Sequence, residues 1–216
     1  PQASGGYLVE HGPELHLLST GRDLIRLGRP LATPGEGLLA LGDPDYGVQT
    51  TSSEVALLRG ARRLPPLPGS GTEARSVGDV VLLGSDASEA RFLAEAGSRP
   101  RWKAIHVACH GLMNRERPAL SSLALSRGDL LTTLEVFRAR IPADLVVLSA
   151  CETGVGRIYD AEGVVGFVRA FMFAGAPRVI VSSWKVDDDA TRALMTKFYE
   201  CWLGSTPSEP ASIDAS

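Results

Sequence analysis

The feature that most restricts the fold of this chain is a succession of short apolar segments, each followed by a segment with the pattern of a helix. The apolar segments cover residues 38–41, 79–84, 104–109, 145–150 and 178–183. Strands that are apolar on both faces are typical of sheets buried between helices, and alternation with helices favours parallel strands. The sequence therefore predicts an α/β fold with a doubly wound, largely parallel sheet flanked by helices.

Other segments add detail to this fold. The opening YLVEHGPELHLLS predicts an N-terminal β-hairpin, and the segment LSSLALSRGDLLTTLEVF predicts a second hairpin that turns at 127–129 and is followed by a short helix. Thr132 and Glu135 have the spacing of a capping box, as do Asp86 and Glu89, and we expect helices at 163–174 and 187–203. The PPLPGSG segment predicts a break. We expect a single domain over 1–204, and a polar tail over 205–216 that is disordered or ends the chain.

Composition limits the classes of function. The chain has 216 residues and a formal net charge of −3, which leaves no basic footprint for nucleic acid. Its apolar runs are shorter than the ~18 residues of a membrane span, and its first residues carry neither Met nor a signal-peptide pattern. We therefore expect a piece of a longer cytoplasmic protein. Its three scattered cysteines also favour a reducing compartment.

Two chemically active side chains follow neighbouring strands of the predicted sheet. His110 comes directly after one strand and Cys151 after the next. Because ligands bind beyond the carboxyl ends of parallel strands, both residues are expected at the same edge. An imidazole beside a thiol supports nucleophilic acyl transfer, and the amides of Gly111 and Cys151 are candidates for an oxyanion hole.

The spacing alone leaves other interpretations open. A cysteine at a strand end is often a packing residue. A zinc site from His106, Cys109, His110 and Cys151 is conceivable, but structural zinc ligands usually come in closely spaced pairs. The fragment GVG at 154–156 lacks the remaining glycine and lysine of a phosphate-binding loop. We therefore predict neither a metal nor another cofactor.

Several motifs together resemble the CHAT domain, a relative of caspases and separases. They are HVACHG, SSLALSRGDLLTTLEVF, LVVLSACETGVG, EGVVGFVRAFMFAGAPRVIVSSW and VDDDAT. The resemblance implies a caspase-like fold in which His110 is the catalytic base and Cys151 the nucleophile. It also implies a bacterial cysteine endopeptidase without a cofactor, which acts on a protein or peptide and is activated by a partner or by a regulatory repeat module outside this sequence.

The resemblance to caspases also suggests where a substrate binds. A substrate strand would pair near the end of the last core strand, and acidic residues would favour a basic side chain before the scissile bond. The candidate substrate-binding residues are Asp43, Asp45, Ser149, Ser182, Ser183, Trp184, Asp187 and Asp188. Two alternatives remain: a catalytically idle interaction or signalling module, and a thiol hydrolase or acyltransferase for small molecules.

Overall fold

A five-stranded parallel sheet forms the centre of the computed structural model, which describes residues 33–47, 64–114, 116–149, 151–152, 161–182 and 188–204. Its strands are β1 (Leu38–Pro44), β2 (Val80–Gly84), β3 (Trp102–Ala108), β7 (Ala143–Leu148) and β9 (Val179–Val181), in the order β2-β1-β3-β7-β9. The predicted α/β fold is confirmed. The predicted N-terminal hairpin and the tail at 205–216 lie outside the described residues.

Helices cover both faces of this sheet because its strands are apolar on both sides. The helices are α1 (Pro68–Val77), α2 (Glu89–Ala96), α3 (Thr133–Arg138), α4 (Ala161–Ala174) and α5 (Asp188–Trp202). Alternate residues of β1 belong to different cores: Leu39 packs in the core with α2 and α4, and Ala40 packs in the core with α1 and α5. None of the helices among the described residues has both the length and the apolar character needed to cross a bilayer.

The helix starts test three local predictions. Thr132 and Glu135 form the expected capping box at the start of α3. At α2, however, Ser88 is the N-cap, so the prediction of a capping box from Asp86 is wrong. The predicted break around PPLPGSG also ends early, because α1 begins at Pro68. Proline suits the first position of a helix, where its missing N–H leaves no internal bond unmade.

A second, smaller sheet continues from the centre of the first. Its strands are β4 (His110–Leu112), β5 (Ser122–Ala124), β6 (Leu130–Thr132) and β8 (Cys151–Glu152), in the order β6-β5-β4-β8. The predicted hairpin that turns at 127–129 is confirmed as the β5/β6 pair. β4 follows β3 after one residue, and β8 follows β7 after two. The second sheet therefore carries the chain onward from two adjacent core strands.

Candidate functional site

The backbone register of the second sheet brings His110 and Cys151 together. β4 and β8 are parallel, with His110 paired to Cys151 and Gly111 paired to Glu152. Paired strands lie about 4.8 Å apart, so the two residues are immediate neighbours across the ladder. The core strands β3 and β7, which precede β4 and β8, are themselves paired. The site is therefore supported by two consecutive pairs of parallel strands, β3 with β7 and β4 with β8.

The imidazole of His110 is buried, and a main-chain carbonyl fixes its orientation. His110 Nε2 lies 2.8 Å from the carbonyl oxygen of Pro65, and the residue is 3% exposed. A carbonyl oxygen only accepts hydrogen bonds, so Nε2 carries the hydrogen and donates it. In the neutral ring the other nitrogen, Nδ1, then has the lone pair that can take up a proton.

Tyr46 holds the backbone and the ring of His110 from the other side. The N–H of His110 donates to the hydroxyl oxygen of Tyr46 at 3.2 Å, and the two ring centroids are 5.1 Å apart. Tyr46 itself is buried in a small apolar core with Ala124 of β5 and Leu130 of β6. His110 therefore has contacts from the loop after β1, from the segment before α1 and from the second sheet.

The other two cysteines have very different environments. Cys109 is buried in the core, and this burial raises the pKa of its thiol to about 12. A thiol with so high a pKa stays protonated near neutral pH and is a poor nucleophile. Cys201 lies near the end of α5 and is exposed. Among the described side chains, no three His, Cys, Asp or Glu residues are arranged to hold a metal ion.

Asp43 and Asp45 lie at the carboxyl end of β1, as the sequence predicts. Asp43 has a φ of 41°, a left-handed conformation that aspartate tolerates better than most residues, and its N–H donates to Ser70 Oγ at 2.8 Å. Asp45 is exposed, and one of its carboxylate oxygens accepts the N–H of Gly47 at 3.0 Å. Both residues are thus at the same edge of the sheet as β4, which continues from β3.

The remaining candidate substrate-binding residues fall at or beyond other strand ends. Ser149 follows β7 and donates its N–H to the carbonyl of Val107 at 2.9 Å. Ser182 follows β9, and its N–H donates to the carbonyl of Leu148 at 3.3 Å. Asp188 is the first residue of α5. Three candidates, Ser183, Trp184 and Asp187, lie outside the described residues.

Sequence reasoning missed two contributors to this site. Tyr46 is the second residue after β1, and its position just beyond a strand end is the signal that could have found it. Pro65 contributes through its main-chain carbonyl, which any residue possesses, so its identity carried no signal. Both contacts join parts of the chain that are far apart in sequence, by 64 and 45 residues respectively.

The five-stranded parallel sheet with helices on both faces gives the chain a caspase-like α/β fold. The sequence profile of the CHAT domain family matches residues 1–213, and the chain belongs to this family. The resemblance that the motifs indicate is thereby confirmed.

Two curated relatives are similar over part of the chain. Tetratricopeptide repeat protein 28 of Homo sapiens is 34% identical over 86 residues, or 40% of this chain, and its counterpart in Mus musculus is 38% identical over 74 residues, or 34% of this chain. In each case the match covers 3% of the relative's length. The similarity is therefore to a small part of much longer repeat proteins.

Proposed function

We propose that this CHAT domain is a cysteine endopeptidase in which His110 is the base and Cys151 the nucleophile. The observation that carries the proposal is the β4/β8 register, which makes the two residues backbone neighbours at the edge where the core strands end. The environment of His110 supports the same roles, because the Pro65 carbonyl on Nε2 leaves Nδ1 as the nitrogen that accepts a proton.

The proposed reaction follows from these roles. His110 Nδ1 takes the proton of the Cys151 thiol, and the thiolate attacks the scissile carbonyl carbon to form a C–S bond. The amides of Gly111 and Cys151 stabilise the resulting oxyanion. As the C–N bond breaks, the imidazolium returns its proton to the leaving amine. A water molecule, deprotonated by His110, then hydrolyses the thioester and releases the thiol and a carboxylic acid.

The substrate in this proposal is a protein chain with a basic residue before the scissile bond. Asp43 lies at the carboxyl end of β1 and Asp45 directly after it, Asp188 is the first residue of α5, and Asp187 precedes it in the sequence. A guanidinium pairs with carboxylates in a bidentate geometry, which favours arginine over an apolar side chain. Ser149, and residues 182–184 after β9, would contact the substrate backbone.

Regulation by a repeat module belongs to the same proposal. Its support is the pair of curated relatives, which are named as tetratricopeptide repeat proteins and are far longer than this chain. If activation requires a module outside this sequence, the domain by itself does not cleave substrates. A cleavage assay therefore needs to be accompanied by a second measurement that requires no substrate. Alkylation of Cys151 is such a measurement.

The three cysteines allow site-resolved alkylation with iodoacetamide, read by mass spectrometry. Cys201 is exposed and serves as the reference thiol, and Cys109 is buried and reports any opening of the core. We expect Cys151 to react faster than Cys201 near neutral pH, and His110→Ala to remove this advantage. If Cys151 alkylates at the rate of Cys201 with or without His110, the dyad is wrong and the domain is an idle interaction module.

Cleavage of a mixed peptide library tests the chemistry and the specificity, with any activating partner present. Cys151→Ala should abolish cleavage, whereas Cys201→Ala, a matched removal of an exposed thiol, should not. Asp187→Ala combined with Asp188→Ala should weaken the preference for a basic residue. A preference for aspartate, or an unchanged basic preference in the double variant, would contradict the acidic pocket.

A further inference from the structure

Three polar side chains meet under the sheet on the face covered by α1 and α5, and the dyad mechanism uses none of them. His106 of β3 is completely buried, and its Nε2 lies 3.1 Å from Glu73 Oε1 of α1. The hydroxyl oxygen of Tyr199, on α5, lies 3.3 Å from His106 Nδ1. We call Glu73, His106 and Tyr199 the buried polar cluster.

The two contacts within the buried polar cluster differ in kind. His106 Nε2 and Glu73 Oε1 lie within ion-pair distance, although neither atom has a hydrogen-bond partner among the described residues. Burial, with the Glu73 charge as a second cause, raises the pKa of the Tyr199 hydroxyl, which therefore keeps its proton. In the neutral ring of His106 that hydroxyl donates to Nδ1. Removing one partner from such a group leaves another buried polar atom poorly satisfied.

The buried polar cluster lies in apolar surroundings. On this face of the sheet the cluster lies among apolar residues that include Ala40, Ala74 and Val147. The low dielectric of such a core strengthens hydrogen bonds and charge interactions. If α1 moved away from β3, Glu73 would lose its contact with His106. The cluster therefore favours the observed position of α1.

The position of α1 matters because the Pro65 carbonyl lies just before that helix. Pro65 is three residues ahead of Pro68, where α1 begins, and Glu73 is one and a half turns into the helix. On the strand side, His106 lies on β3, which leads directly to His110 at the start of β4. The buried polar cluster therefore links the two backbone segments that meet at the contact between Pro65 and His110.

A second contact, between Ser70 of α1 and Asp43 of β1, also holds the start of α1 against the sheet. Ser70 Oγ accepts the N–H of Asp43 at 2.8 Å and donates to the carbonyl of Leu67 at 2.7 Å. The helix thus contacts β1 through Ser70 near its first turn and approaches β3 at Glu73. We expect these two contacts together to restrict movement of α1 and of the Pro65 carbonyl that precedes it.

We propose that Glu73, His106 and Tyr199 are positioning residues: they hold α1 against β3, so that the Pro65 carbonyl stays on Nε2 of His110 and directs Nδ1 toward its role as base. The three residues act through His110 and do not touch substrate. This inference rests on the proposed function for its effect on reactivity, but its geometric part concerns the His110 ring alone.

The first test observes the His110 ring directly in the folded chain. In ¹H–¹⁵N spectra, the Nε2–H of His110 should be detectable and protected from exchange, and it is identified by its loss in His110→Ala. In Glu73→Gln this proton should exchange about fivefold faster, which corresponds to a loss of ~1 kcal/mol in the hydrogen bond from His110 Nε2 to the Pro65 carbonyl. Glu200→Gln, on the exposed side of α5 where Glu200 pairs with Lys197, is the matched control and should change nothing.

The second test measures the pH profile of Cys151 alkylation. Glu73→Gln should slow alkylation near neutral pH about fivefold relative to Cys201, and the rates should converge at alkaline pH, where the Cys151 thiol is ionised without help. Merely loosened packing would instead expose Cys109 to the reagent. If Glu73→Gln does expose Cys109, Tyr199→Phe decides the question, because it removes one hydroxyl and keeps the Glu73 contact.

The outcomes separate the inference from the proposed function. If both variants match Glu200→Gln in ring-proton exchange and in alkylation, the positioning role is wrong, even where His110 still activates Cys151. If His110→Ala leaves alkylation of wild-type Cys151 unchanged, the dyad is wrong, and faster ring-proton exchange in Glu73→Gln would still support the geometric link.

Discussion

The contact between Tyr46 and the backbone of His110 allows one prediction to be worked through quantitatively. Tyr46→Phe removes a single oxygen, the acceptor of the His110 N–H at 3.2 Å, and keeps the ring that lies 5.1 Å from the imidazole. Both residues are buried, so water does not readily replace the lost acceptor. Loss of the acceptor of a buried N–H costs about 1–3 kcal/mol, and we expect ~2 kcal/mol.

Urea denaturation followed by circular dichroism measures this cost. With an m-value of about 2 kcal/mol per M, the midpoint of Tyr46→Phe should fall by ~1 M while the m-value stays constant. Tyr46→Ala also removes the ring, and for it we expect a total loss of about 3–5 kcal/mol. The same Tyr46→Phe variant should alkylate more slowly at Cys151 near neutral pH, because His110 loses an anchor. An unchanged midpoint for Tyr46→Phe, or equal midpoints for both variants, would refute the reasoning.

Two further predictions concern stability. Burial, reinforced by two nearby acidic side chains, raises the pKa of Glu89, so the stability that Glu89 contributes is present below its unfolded pKa of ~4.5 and is lost as pH rises through its folded pKa. Glu89→Gln should therefore raise the free energy of unfolding by ~0.5 kcal/mol at pH 7 and leave it unchanged below pH 4. A destabilised variant at pH 7 would contradict this prediction. A Cβ at Gly42 would lie 2.3 Å from the Ser70 carbonyl oxygen, so Gly42→Ala should cost about 3 kcal/mol by forcing α1 from β1. For the control Gly166→Ala, where the nearest atom is at 3.8 Å, thermal denaturation should show no loss.

Local patterns were sufficient for the elements that a short stretch of chain specifies. All five core strands fall within or beside the apolar segments that predict them, because burial between two helical layers requires apolar residues on both faces. The capping box is equally local, since Thr132 and Glu135, three residues apart, each accept the other's backbone N–H. The positions of His110 and Cys151 at neighbouring strand ends follow from the same patterns.

The tertiary structure decided what lies beyond these strand ends. The sequence contains no sign that β3 stops at Ala108 and that a new strand begins at His110, because the apolar run continues through Cys109. Pairing of β4 with β8 depends on where β3 and β7 end relative to each other. That alignment is set by the packing of whole strands and helices, which a local pattern does not encode.

The polar contacts around the site show the same division. The sequence by itself determined which residue types were present at the sheet edge, through the order of strands and helices. Only the folded chain brings the Pro65 carbonyl to His110 and joins His106 to Tyr199, which is 93 residues away. The physical reason is that a hydrogen bond requires angstrom-level placement of both partners, whereas hydrophobic periodicity specifies only the face on which each residue lies.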